Sequence, residues 1–297
     1  MILLTALTLF VLGAIFGSFA GAQVWRLRAQ QLKDDKKQGE AVDETEYKTL
    51  KKLFTKKFAA DRSRCLHCEK QLKWYDLMPI ISWLSTAGRC RYCSQPIGRY
   101  ELAIEFGVGL FFMVSYIVWL PAGIDNWLVA SQLIVWLAAG VVLAMLFSYD
   151  YKWFLLPNVL NFTLALLGFT YFALHILIVG DITGAMLLSF GGALLIMSGL
   201  YGVLYLFSKG AWIGLGDVKL GVGLALFLVD WQLAFLALFL ANFIGVLIVL
   251  PQLMTGKMSR KTQIPFGPLL IIGTIISVLF GSTIINGYLS GLGQLFI

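Results

Sequence analysis

Ser148-Tyr149-Asp150-Tyr151-Lys152-Trp153-Phe154-Leu155-Leu156-Pro157 and Gly214-Leu215-Gly216-Asp217 are the stretches around which this chain is organised. Each sets one aspartate against a membrane-length apolar run: Asp150 follows a run ending near Phe147, and Asp217 precedes another. An ionisable group at a bilayer boundary is costly to desolvate and calls for a partner or a water-filled recess, so both are functional candidates. Two carboxylates sharing a site cannot both ionise cheaply, so the pair holds one proton. The ionised member draws a proton from water while the protonated one polarises a peptide carbonyl. The same pair would also serve an ion or proton pathway, and the residues alone leave both readings open. The sequence offers no Ser–His pair and no histidine near either aspartate.

Composition sets the fold class. Of 297 residues, 59% are hydrophobic and 13% charged, against about 25% charged in a soluble domain. Runs able to cross a core of ~30 Å need about 17–25 residues. About eight are found, at 2–24, 102–120, 127–147, 157–179, 182–207, 212–229, 232–251 and 266–288. The expectation is an all-α polytopic membrane protein with a small cytosolic zinc-binding insert after its first helix. The domains would be a first transmembrane helix at 1–24, a cytosolic domain at 25–101 and a seven-helix membrane core at 102–297.

Charge distribution orients these spans. With the N-terminus outside, all 23 Lys and Arg residues fall in cytosolic segments, whereas the opposite loops carry Asp125, Asp181 and Asp230. That asymmetry is the positive-inside signature, and it accounts for the net charge of +7 without a nucleic-acid partner. Met1–Ala22 lacks the basic leading region of a secretory signal, and its positive charges, Arg26 and Arg28, follow the run. A retained first span fits better than a cleaved one. Within it, Gly13, Gly17 and Gly21 form a small-residue stripe suited to close helix approach, more readily inside the bundle than between copies.

Residues 29–64 break the apolar pattern. Gln30–Thr45 is polar and highly charged and reads as loosely ordered. Tyr47, Leu50, Phe54 and Phe58 then recur at helical spacing among lysines. This basic amphipathic helix suits either the anionic leaflet, in contact with membrane lipids, or its own domain. Cys65-Leu66-His67-Cys68 and Cys90-Arg91-Tyr92-Cys93 contain all the cysteines of the chain. Two such pairs with 21 residues between them match a closed, structural four-thiolate Zn2+ site of Cys65, Cys68, Cys90 and Cys93. A redox pair or free thiols are the alternatives; a reducing cytosol disfavours disulfides. Between the knuckles, Trp74, Tyr75 and Trp83 read as this module's core or its dock onto the bilayer. Glu101 and Glu105 at the mouth of the second span would be solvated or meet a basic segment.

The run after Asp217 is short. Val218–Val229 is 12 residues, about 18 Å of helix. Either the helix starts earlier, near Trp212, or the aspartate lies below the membrane surface. Gly214 and Gly216 leave room for an extended backbone to approach Asp217, and Ile264-Pro265-Phe266-Gly267-Pro268 offers another wall.

At these residues the chain resembles the bacterial prepilin peptidases, intramembrane aspartic proteases of the Gly-x-Gly-Asp class. The likeness covers nearly the whole chain. It includes Gly17-Ser18-Phe19, Trp74-Tyr75-Asp76, Gly88-Arg89-Cys90, Asp150 seven residues before Pro157-Asn158, Gly214–Lys219 and the Pro-Phe-Gly-Pro element. Lys152 stands where many members carry a further aspartate, which leaves Asp150 as the candidate. The resemblance implies that Asp150 and Asp217 cleave the basic leader from type IV prepilins and related pseudopilins at the cytosolic face of the bacterial inner membrane. It also implies methylation of the new N-terminus with S-adenosylmethionine, for which no residues are assigned. A zinc-stabilised scaffold of a secretion assembly is a further alternative.

Overall fold

The computed structural model describes residues 2–53, 62–122, 124, 126–211, 213–256 and 263–295. Described residues are almost all helical and form no strand, only two isolated bridges. Among the described residues, seven helical stretches are long and apolar enough to cross a membrane: Ile2–Lys37, Arg99–Trp119, Trp127–Trp153, Asn158–Val179, Gly184–Ser208, Trp231–Met254 and Gly267–Gly291. The eighth expected span is the 14-residue helix Leu215–Leu228. At 1.5 Å per residue it is about 21 Å long, short of a ~30 Å core. The chain divides into two compact units, Met1–Ile117 and Val118–Ile297.

The first unit holds α1 (Ile2–Lys37), α2 (Glu44–Leu50), the short α3 (Ile81–Ser85) and most of α4 (Arg99–Trp119). Helix α1 packs on α4 through the glycine stripe. A Cβ on Gly13 would lie 2.6 Å from the Val108 carbonyl oxygen, and one on Gly17 2.8 Å from Glu105 Cα. Gly21 has open space around it. The helix does not end where polarity begins: residues 30–37, expected to be loosely ordered, continue α1. Burial explains the difference. Ala29 and Leu32 on one face of α1 close over Leu50 of α2, with Trp25, Tyr47 and Val42 around them. Arg28 pairs with Glu46 at 2.6 Å and Lys36 with Glu44 at 2.6 Å. Asp43 caps α2 by accepting from the N–H groups of Thr45 and Glu46, which hold its carboxyl below the usual range. Of the two placements for the basic amphipathic helix, this stretch takes the packed one. Its expected continuation through Phe54 and Phe58 lies outside the described residues, as do Asp125 and Trp212.

In the second unit, α5 (Trp127–Trp153) is the central helix, against α6 (Asn158–Val179) and α11 (Gly267–Leu295). Trp136, fully buried on α5, gathers Trp119, Tyr171 and Phe227 around it at 5.5–6.3 Å between ring centroids. Stretch 184–208 comprises α7 (Gly184–Leu194), a π-helical turn at Leu195–Gly199 and α8 (Leu200–Ser208). The short α9 (Leu215–Leu228) is wedged between α6 and that π turn. Gly168 and Gly223 admit the first contact; Gly221 admits the second, since a Cβ there would collide with the Met197 carbonyl. The hairpin of α10 (Trp231–Met254) and α11 crosses closely at Gly273.

Candidate active site and metal centre

Two spans separate Asp150 from Asp217, so the antiparallel run of helices returns both to one end of the second unit. Asp150 occupies the last turn of α5, which Phe154 closes in a left-handed conformation (φ 54°), its N–H donating to the Asp150 carbonyl at 2.9 Å. The Asp150 side chain is buried, and its Oδ2 accepts the Gly267 N–H at 2.9 Å. Gly267 is the first residue of α11, where backbone N–H groups lack intrahelical acceptors and the helix dipole favours negative charge. A Cβ there would stand 2.7 Å from that oxygen and displace it. The Pro-Phe-Gly-Pro element therefore forms a wall and supplies the amide that holds Asp150.

Asp217 lies in the first turn of α9, whose N-cap is Gly214 in extended conformation. The helix begins at Leu215 and not near Trp212, so it does not gain the length of a full span by starting earlier. Gly216 faces the chain that follows Asp150: its Cβ would lie 3.0 Å from Leu156 Cβ. The charge of Asp217 reaches Asp150 electrostatically. Lys219 donates to Asn158 Oδ1 at 2.7 Å, tying the first turn of α9 to the start of α6. Phe266, beside Gly267, also lines an apolar groove of about 330 Å³ along α10 with Ala241, Asn242, Gly245, Val249 and Leu253.

The four cysteines form the second site, within the first unit. Their sulfurs all lie within 4.8 Å of one another, and Cys65 and Cys93 are 3.9 Å apart. A tetrahedral ion with bonds of about 2.3 Å sets sulfur–sulfur edges of about 3.8 Å, so the cluster fits a metal. Two equivalent turns build it. Cys65 and Cys90 each donate to a carbonyl five residues on, at Lys70 and Gln95, and Arg64–Gln71 and Arg89–Pro96 close the loops in the same register. The residue after each second cysteine, Glu69 or Ser94, has positive φ. Burial pushes the Cys90 thiol up, but the amides of Tyr92 and Cys93 and the thiols of Cys65 and Cys93 outweigh it and bring it to about 7. His67 is not in the cluster. Asp76 braces it by accepting from Arg91 and Tyr92, each at 2.9 Å. Trp83 packs on Gly88, whereas Trp74 is 75% exposed. Glu105 meets a backbone amide, accepting from Ile80 at 2.7 Å, and not a basic segment.

Comparison with known proteins agrees with this layout. Residues 11–119 match the Bacterial Peptidase A24 N-terminal domain, and residues 133–250 match the Type IV leader peptidase family. A Prepilin leader peptidase/N-methyltransferase of Aeromonas salmonicida is 30% identical over 77% of this chain and 75% of its own. The chain belongs to the type IV leader peptidase family. Relatives of the same name from Stutzerimonas stutzeri and Pseudomonas aeruginosa are each 28% identical, covering 94% and 95% of this chain and 92% and 93% of theirs. No solved structure matches. In this type IV leader peptidase the N-terminal match contains the four cysteines and the second match contains both aspartates, while Gly267 lies beyond either. Sequence reading names the Pro-Phe-Gly-Pro element but not its N–H as the donor to Asp150, and it passes over Tyr201 altogether.

Proposed function

We propose that Asp150 and Asp217 are the paired catalytic carboxylates of a prepilin leader peptidase that removes the basic leader of type IV prepilins and pseudopilins at the cytosolic face of the inner membrane. One observation carries this reading: Asp150, held by the Gly267 amide, and Asp217, in the first turn of α9, occupy the same end of one compact unit within electrostatic reach. Like charges at this range leave one carboxyl ionised and the other protonated. The ionised group takes a proton from a water that attacks the scissile carbonyl carbon. The protonated group gives its proton to the carbonyl oxygen, and collapse of the adduct passes a proton to the leaving nitrogen. Gly267 fixes the Asp150 side chain, and the Leu156–Gly216 packing fixes the spacing between the two segments.

The first helix enters with its N-terminus outside, and residues 25–101 form a cytosolic insert. Zn2+ held by Cys65, Cys68, Cys90 and Cys93 would cross-link that insert in a closed site with structural work only. Methylation of the new N-terminus with S-adenosylmethionine is carried over from the relatives' names; among the described residues no side-chain cluster singles out a methyl-donor site. Prepilin would enter laterally from the lipid, its leader remaining in the cytosol. The test is a cleavage assay in proteoliposomes with Asp150→Asn, Asp217→Asn and the double variant. Groups that act as a unit lose nearly everything on the first substitution, so all three are expected to be equally inactive. Either single variant cleaving at the native rate contradicts the pairing.

A further inference from the structure

A third group lies at this end of the second unit, on α8, beside Phe266. The π turn Leu195–Gly199 is docked on α9: Ser198 Oγ donates to the Val218 carbonyl at 2.9 Å, and Gly221 rests on the Met197 carbonyl. A π turn inserts one residue into the helical repeat and re-aims the side chains beyond it, and such turns recur at functional sites. Here the next turn of helix carries Tyr201. Gly202, its neighbour in the chain, faces Val218, the neighbour of Asp217; a Cβ on that glycine would lie 3.8 Å from Val218 Cγ1. Tyr201 is buried, with only 4% of its surface exposed. Its ring packs on Phe266 at 5.6 Å between centroids, immediately before the glycine that holds Asp150. The Asp217 charge reaches it. Its hydroxyl makes no hydrogen bond among the described residues and is not one of the sealed, unpartnered polar atoms. The hydroxyl is therefore open to whatever enters the site, and beside a hydrolytic pair that is the scissile peptide.

We infer that the Tyr201 hydroxyl is a further catalytic group of this site, donating a hydrogen bond to the carbonyl oxygen of the scissile peptide. This rests on the peptidase reading above. As the water oxygen bonds to the carbonyl carbon, its proton passes to the ionised carboxylate and the carbonyl electron pair moves onto oxygen. The Tyr201 O–H stabilises that charge while the protonated carboxyl delivers its proton. The phenol keeps its own proton throughout, and the C–N bond then breaks with a proton transferred to nitrogen.

The test uses the full-length protein in phospholipid nanodiscs with a purified type IV prepilin carrying its leader and apolar helix. Tyr201→Phe retains the ring that packs on Phe266. Loss of one oxyanion donor lowers kcat by about 10²–10³-fold, with KM expected within threefold of native. Replacing Tyr201 by 4-aminophenylalanine keeps the ring and puts an N–H donor where the hydroxyl was, so kcat is expected within tenfold of native, whereas 4-fluorophenylalanine, of similar size but with no donor, is expected to lose as much as Tyr201→Phe. A Tyr201→Phe protein with kcat within threefold of native overturns the inference, as does a 4-fluorophenylalanine protein as active as the 4-aminophenylalanine one, which decides the matter if Tyr201→Phe fails to fold. Asp150→Asn and Asp217→Asn run alongside. If both are inactive while Tyr201→Phe is fully active, only this inference falls; if either cleaves normally, the peptidase pairing falls with it.

Discussion

Gly267→Ala is a one-methyl perturbation aimed at the bond that holds Asp150. The new Cβ would sit 2.7 Å from Asp150 Oδ2, where ordinary contact begins at 3.4 Å, so the carboxylate must retreat by about 0.7 Å. Added to the present 2.9 Å, this opens the N–O distance to about 3.6 Å, which is no longer a hydrogen bond. A hydrogen bond to a charged group contributes about 1.5–3 kcal/mol, and each 1.4 kcal/mol is tenfold, so kcat for prepilin cleavage should fall roughly 10–150-fold. Folding should not suffer. Gly267 begins a helix without positive φ, and alanine is the better helix former by about 1 kcal/mol. The assay is initial cleavage rate in nanodiscs beside a thermal melt of the same preparation. Native-like cleavage from a protein with an unchanged melt would refute the role given to this amide.

Three further outcomes are expected. Cys90→Ser should lower the bound-metal content of protein purified without chelator from about one ion to near zero by elemental mass spectrometry; wild-type protein without zinc would contradict the closed site. Leu50→Ala removes the plug between α2 and α1 and should cost about 2–5 kcal/mol locally, seen as faster amide exchange over residues 44–50; unchanged exchange would deny the packed placement. Gly221→Ala forces a methyl onto the Met197 carbonyl and should destabilise the second unit by about 1–3 kcal/mol, read as a lower melting temperature; an unchanged melt would mean that α9 and the π turn are not tightly docked.

Membrane class, seven of the eight expected spans and the cysteine cluster are legible in the sequence because each follows from a local rule: run length and Cys-x-x-Cys spacing. The glycine stripe is readable for the same reason, and Gly13 and Gly17 admit α4 as a missing side chain must. The features that escape are long-range. Residues 30–37 read as disordered by polarity, but the end of α1 stays helical because Leu50 covers Ala29 and Leu32, and that pairing has no local signature. The π turn is likewise invisible, since Leu195–Gly199 is an ordinary apolar helical string. Only the folded chain shows that it docks on α9 through Ser198 and Met197, with Tyr201 packed on Phe266 in the next turn. The short run after Asp217 is a hint by arithmetic alone: Val218–Val229 is 12 residues, and the helix there is 14 residues long, short of the core.

The N-terminal mass of a type IV prepilin co-expressed with the wild-type chain or with Asp217→Asn tests the central claim most directly. The paired carboxylates predict a leaderless pilin with the wild type and an intact leader with the variant, at equal membrane levels of the two peptidases. A leaderless pilin produced equally by Asp217→Asn would contradict it.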